Sequence, residues 1–105
     1  MAQFDLYVNT DQNTNKVYPY FIDIQNDLLD SLNSRVVIPL TPLQQSDKSY
    51  PKNLCPVVEI EGKKFALLTY QLTTVSVSFL QEKETSLAAN RAHIIAAIDF
   101  LVTGI

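Results

Sequence analysis

The sequence predicts a mainly β domain closed by one C-terminal helix. Short apolar segments with strand character run from Phe4 to Phe79, separated by polar turn clusters. After Glu84 the pattern changes to apolar residues recurring at three and four, the spacing of a helical face. A length of 105 residues leaves room for one domain, residues 1–105. With 47% hydrophobic and 18% charged residues, the chain has the balance of a folded protein rather than a disordered one. A domain this small buries only roughly 65% of the surface its unfolded chain exposes. Its last residues, Phe100 to Ile105, are apolar, so a covering partner is expected there.

Each element has its own signal. Phe4, Leu6 and Val8 alternate with Asp5 and Tyr7, the period of a half-buried strand. Asn9 to Lys16 has no apolar side chain and reads as a long, exposed, mobile hairpin tip. Val17 to Ile24, rich in aromatic and β-branched residues, is the return strand. Gln25 to Leu32 reads as either one helical turn or a broad turn. Val36 to Leu40 is a strand that Pro39 should end or bulge, because proline cannot donate to a central ladder. Thr41 to Asn53 is a second polar loop. Pro56 to Ile60 and Phe65 to Leu68 flank Glu61-Gly62-Lys63-Lys64, a tight hairpin in which Gly62 supplies a positive φ. Val75, Val77 and Phe79 alternate with serines as another strand. Leu87, Arg91, Ile94, Ile98, Leu101 and Ile105 then mark one face of a helix from about Leu87 to Thr103, widened by Ile95 and Val102. Thr85 or Ser86 is the expected N-cap and Gly104 the stop. The expected architecture is an antiparallel sheet or small barrel followed by this helix.

Composition excludes several functions. Eight Lys and Arg against eleven Asp and Glu give a net charge of −3, and the basic residues form no stripe, so no direct nucleic-acid binding is expected. The single cysteine, Cys55, cannot form an internal disulfide, which fits a reducing compartment. Neither a signal peptide nor a membrane span is legible, so a cytoplasmic protein is expected. Asp11, Asn13 and Asn15 imitate the start of a calcium loop, but Lys16 and Ile22 occupy the positions that need Gly and Glu. His93 has no orienting acid, since Asp99 lies about 240° around the helix. One His and one Cys fall short of a zinc set. Cys55 reads as a half-buried structural residue. Asp23, Asp27 and Asp30 read as a solvated acidic edge. With two glycines in the chain, neither a P-loop nor a dinucleotide fingerprint is possible. No catalytic residues, metal or cofactor are expected, and the chain reads as an interaction protein rather than an enzyme.

Several blocks together resemble the CcdB family of plasmid and chromosomal bacterial toxins, the gyrase poisons of type II toxin–antitoxin modules. They are Gln3-Phe4-x-x-Tyr7, the run Phe21-Ile22-Asp23-Ile24-Gln25-Asn26-Asp27-Leu28-Leu29-Asp30, Arg35-Val36-Val37-Ile38-Pro39-Leu40 and Ser46-Asp47-Lys48. Pro56-Val57-Val58-x-Ile60, Val75-Ser76-Val77-Ser78 and the ending Ala97-Ile98-Asp99 with Gly104-Ile105 complete the set, in order over nearly the whole chain. The resemblance implies an SH3-like β-barrel with an additional small antiparallel sheet and a C-terminal helix. It implies a homodimer, for which Leu101 and Ile105 are the expected interface residues. It also implies two partners, the DNA gyrase A subunit and a CcdA-type antitoxin whose disordered segment wraps the toxin. Matched by motif, the gyrase-binding residues are Leu28, Leu29, Asp99, Val102, Thr103, Gly104 and Ile105. The best-known members carry Phe and Trp where this chain has Val102 and Thr103. The antitoxin is expected at the loop edge near Asn9, Asp11, Asn13 and Asn15. Two alternatives are an endoribonuclease toxin of the same barrel fold, built on Arg35 and Arg91 with an aspartate, and a degenerate member that binds antitoxin without killing.

Overall fold

The computed structural model describes residues 2–44 and 50–104. Seven strands and one helix follow in the order β1 (Asp5–Val8), β2 (Tyr20–Asp23), β3 (Ser34–Pro42), β4 (Val57–Ile60), β5 (Lys63–Leu67), β6 (Thr73–Ser76), β7 (Lys83–Ser86) and α1 (Arg91–Thr103). Single 3₁₀ turns lie at Asp27–Leu29, Thr69–Gln71, Val77–Phe79 and Ala88–Asn90. The strands form one curled antiparallel sheet in the order β4-β5-β3-β2-β1-β7. The expected small additional sheet is a branch of this one: β6 pairs with the first half of β3, through Arg35↔Val75 and Val37↔Thr73, and β5 pairs with the second half. The mainly β class with a C-terminal helix is therefore as expected.

The strand period sorts side chains onto two faces. Leu6, Ile22 and Ile38 stand opposite one another across β1, β2 and β3. With Leu40, Phe65, Leu67, Val58 and Ile94 they form the main core beneath α1. On the reverse face Tyr7 and Val37 pack with Leu80, joined by Phe21 and Phe79 in an edge-to-face pair with centroids 5.7 Å apart. Both faces of β1 are thus covered, and Asp5 and Tyr7 are buried along with Leu6. The half-buried strand expected from the alternation is corrected accordingly.

Pro39 neither ends nor bulges β3. Ile24 N–H donates to Val36 O, so antiparallel alternation makes Phe21↔Pro39 a non-hydrogen-bonded pair. The missing N–H of Pro39 therefore faces the other side, at the gap where β3 changes partner from β6 to β5. Its carbonyl is still used there, accepting from Leu68 N–H at 2.9 Å. The β4–β5 hairpin is as expected: Ile60 faces Lys63, and both turn residues take positive φ, 51° at Glu61 and 80° at Gly62, as a two-residue type I′ turn requires.

Several boundaries differ from expectation. Strand β3 runs from Ser34 to Pro42 rather than from Val36 to Leu40, so Thr41, which is buried, and Pro42 belong to it and not to the polar loop. The return strand β2 begins at Tyr20 rather than Val17. The strand expected through Val75, Val77 and Phe79 stops at Ser76, whose side chain accepts from Ser78 N–H and caps a 3₁₀ turn. The helix begins at Arg91 rather than Leu87, and neither Thr85 nor Ser86 is its N-cap. Both residues lie in β7, paired with Leu6 and Asp5, and Leu87 N–H is held by Phe4 O at 2.7 Å. Ser86 Oγ instead accepts from Ala88 N–H, starting the short turn before α1. Gly104 is the stop, at φ 77° with its N–H on Phe100 O. Only Ile94 and Ala97 of α1 are buried, with Ile95 and Ile98 partly so. The expected apolar face is real in its first half and uncovered in its second, where Leu101 and Val102 are exposed.

Candidate functional site

Two apolar features project from this frame. The first is the turn between β2 and β3. Its 3₁₀ segment, Asp27–Leu29, buries no residue. Leu28 is 89% exposed, the most open large hydrophobic among the described residues, and Leu29 and Leu32 are half exposed. Polar ties hold this turn in place of packing. Asn26 Oδ1 accepts from Leu28 N–H at 2.8 Å, an N-cap geometry. Gln25, itself buried, donates from Nε2 to Leu29 O at 3.0 Å and accepts on Oε1 from Val36 N–H. Gln3 N–H donates to Asp27 Oδ1 at 2.8 Å, linking the turn to the start of β1.

Beneath the turn lies Arg35, the largest fully buried side chain. Its Nε and Nη2 reach Asp23 Oδ2 at 2.9 and 2.7 Å, and Nη1 reaches Asp30 Oδ1 at 2.8 Å. Asp27 Oδ1 lies 3.9 Å from Nη2. The solvated acidic edge is corrected for Asp23, which is fully buried, whereas Asp27 and Asp30 are exposed as expected; all three face one guanidinium. Burial pushes the Asp23 carboxyl above the usual carboxylate range, against the opposing hydrogen bonds from Arg35 and Gln25 N–H. Sequence reading missed this cluster because a run of aspartates is ordinarily surface. The available signal was Arg35 beginning an otherwise apolar strand, with an aspartate 12, 8 and 5 residues before it. Arg35, enclosed and bonded, does not offer its guanidinium to a phosphate, which removes the central cation of the endoribonuclease alternative.

The second feature is the end of α1. Asp99, Leu101, Val102, Thr103 and Gly104 are all exposed, Val102 by 75%. Thr103 Oγ1 donates to Asp99 O at 2.7 Å, so its hydroxyl is turned back onto the helix. Ile105, expected in both the gyrase-binding and dimer sets, lies outside the described residues, as does the Ser46-Asp47-Lys48 block. Helix α1 packs against the turn Thr69–Gln71.

The β1–β2 loop is built differently from the mobile tip expected. Asn9 is buried, and its Nδ2 donates to Thr14 Oγ1 at 3.0 Å and to Tyr18 O at 2.7 Å. The Asp11 carboxylate accepts from Asn13 N–H and from Thr14 Oγ1. Asn9 is thus an organiser of the loop rather than part of its outer edge, and Asp11 is engaged within it, whereas Asn13 is exposed. Beside the loop a groove of about 520 Å³ opens between Lys16, Tyr20, Leu43, Lys63, Lys64 and Phe65. Tyr20 and Phe65 meet edge to face at its floor, with centroids 5.3 Å apart.

The remaining candidates are structural. Cys55 is buried, and desolvation pushes its thiol up, away from the reactive thiolate. His93 is exposed on α1. Among the described residues no group of three or more His, Cys, Asp or Glu is placed to hold a metal ion, and no helix is long and apolar enough to cross a membrane.

A family model described as CcdB protein matches residues 3–104 of the chain. The chain belongs to the CcdB family. CcdB membership supports a toxin of a toxin–antitoxin module and agrees with the curled sheet and single C-terminal helix.

Proposed function

We propose that this protein is a homodimeric poison of DNA gyrase that binds the gyrase A subunit, traps the cleaved gyrase–DNA complex, and is neutralised by a CcdA-type antitoxin. The observation that carries the reading is the turn at Leu28 and Leu29: neighbouring exposed leucines on a backbone tied by hydrogen bonds offer apolar surface to a protein partner. A preformed turn spends little ordering entropy on binding. The two positions are those that the family resemblance assigns to gyrase. At the helix end Thr103 turns its hydroxyl inward, so the contact that an aromatic residue would otherwise dominate is shared among Leu28, Leu29, Asp99, Val102 and the chain end.

A homodimer suits the uncovered half of α1, with Leu101 and Ile105 in its interface. Two-fold symmetry would present two copies of each apolar feature to the two-fold gyrase A dimer. The toxin performs no bond chemistry; it stabilises one gyrase conformation by binding it preferentially. For the antitoxin, the β1–β2 loop, with exposed Asn13 and half-buried Asn15, leads into Lys16, which lines the groove together with Lys63 and Lys64. Three lysines against one acid, Glu61, around an aromatic pair suit an acidic, amphipathic segment.

The direct test is titration of the gyrase A dimerisation fragment with the full chain and with a chain lacking Thr103–Ile105. The full chain is expected to bind, and the truncated chain to remain folded and lose binding. Unfolding of the truncated chain would make the tail structural and contradict this assignment.

A further inference from the structure

We infer that Arg35 is a positioning residue, which fixes from inside the domain the exposed turn presenting Leu28 and Leu29. The inference rests on the reading of that turn as a gyrase-binding surface. Three observations carry it. First, the Asp27–Leu29 segment buries no residue, so apolar packing does not set its conformation. Second, Arg35 spans the distance from core to surface. Nε and Nη2 are anchored on Asp23, which is fully buried in β2, while Nη1 holds Asp30, whose side chain is 59% exposed at the far end of the turn. Third, the two ends of the turn are tied to the same strand, Asp30 through Arg35 and Gln25 through Val36 N–H. Gln25 N–H also bonds Asp23 Oδ1, so one carboxylate orients both ties.

A buried ion pair is weak evidence for stability, because apolar residues of similar volume do as well or better. What apolar residues would not supply is a directed bond to an exposed carboxylate beyond the core. The arrangement therefore supplies orientation: Leu28 is held out by its own N–H on Asn26 Oδ1, by the Leu29 carbonyl on Gln25 and by the Asp30 carboxylate on Arg35.

Asp30→Ala cuts the outer link and leaves the buried Arg35–Asp23 pair in place. In the free protein it is expected to speed solvent exchange of the Leu28 and Leu29 amides severalfold, read by NMR, with thermal stability nearly unchanged. Asp30→Asn, which keeps an acceptor oxygen, is expected to restore most of the protection. Unchanged exchange in Asp30→Ala would overturn the inference, independently of any partner. Against the gyrase A fragment, Asp30→Ala is expected to weaken binding on the order of fivefold. In a Leu28→Ala background the same change is expected to cost little, because Asp30 acts through Leu28. Equal losses in both backgrounds would make Asp30 a direct contact and overturn the positioning role. If the wild-type chain binds no gyrase fragment while the exchange result holds, the gyrase reading fails and Arg35 still positions the turn.

Discussion

Arg35 and Asp23 form a two-point contact on one oxygen: Nε and Nη2 lie 2.9 and 2.7 Å from Asp23 Oδ2, with both side chains fully buried. Removing the cation strands a carboxylate in the interior. Arg35→Leu is therefore expected to cost about 3–5 kcal/mol at neutral pH, read by urea denaturation. Arg91→Leu, at an exposed position, is the control and is expected to stay within about 0.5 kcal/mol.

The same pair gives an unusual pH dependence. Burial raises the folded Asp23 pKa, so the folded protein takes up this proton at higher pH than the unfolded chain. The resulting stabilisation is complete below the unfolded aspartate pKa, about 3.9, and is lost as pH rises through the raised folded value. The stability of wild type relative to Asp23→Asn is thus expected to increase as pH falls from neutral into the carboxylate range. The deficit of Arg35→Leu is expected to shrink over the same interval, because protonated Asp23 no longer needs a cation. Denaturation curves of the three proteins across that range check both signs.

The Cys55 thiol is likewise raised by burial. Its contribution to stability is present below the ordinary thiol pKa, about 8.5, and is lost as pH rises through the folded value. Alkylation by iodoacetamide at neutral pH is expected to be slow in the native protein and rapid in urea. Its native rate should follow the unfolding equilibrium, so that Arg35→Leu accelerates it.

The β4–β5 turn provides a local test. No heavy atom lies within 4 Å of a Cβ built on Gly62, so the cost of Gly62→Ala is that of the backbone at φ 80° alone. About 1 kcal/mol of destabilisation is expected. Glu61→Asn, at φ 51°, is expected to stabilise by a few tenths of a kcal/mol, since Asn tolerates the left-handed region better. Thermal melts of both variants decide it.

Much of this fold is legible in the sequence because its signals are local. The Glu61-Gly62 turn and the Gly104 stop follow from backbone preferences of single residues. The features that were not legible depend on side-chain and strand contacts that no local pattern of residues encodes. Thr85 and Ser86 have good capping chemistry for a helix, yet pairing with β1 takes them into a strand. Pro39 survives in β3 because its bare nitrogen falls where one partner strand gives way to another, an alignment no local pattern encodes. Asn9 and Asp23 have surface composition, and only the folded loop and the buried Arg35 supply the Thr14, Tyr18 and guanidinium groups that hold them inside, while Asp27 and Asp30 stay exposed. At the candidate site, exposure of Leu28 followed from the motif match, while the device that holds it did not.

The central claim is that the chain poisons gyrase through the Leu28–Leu29 turn. DNA cleavage by purified gyrase, titrated with wild-type protein and with Leu28→Asp, tests it most directly. Leu28 is exposed, so the variant is expected to fold and melt as wild type does. Wild type is expected to accumulate the cleaved complex, and Leu28→Asp to need at least about tenfold more protein for the same effect. No accumulation at saturating wild type, or equal potency of the two proteins, would contradict the account.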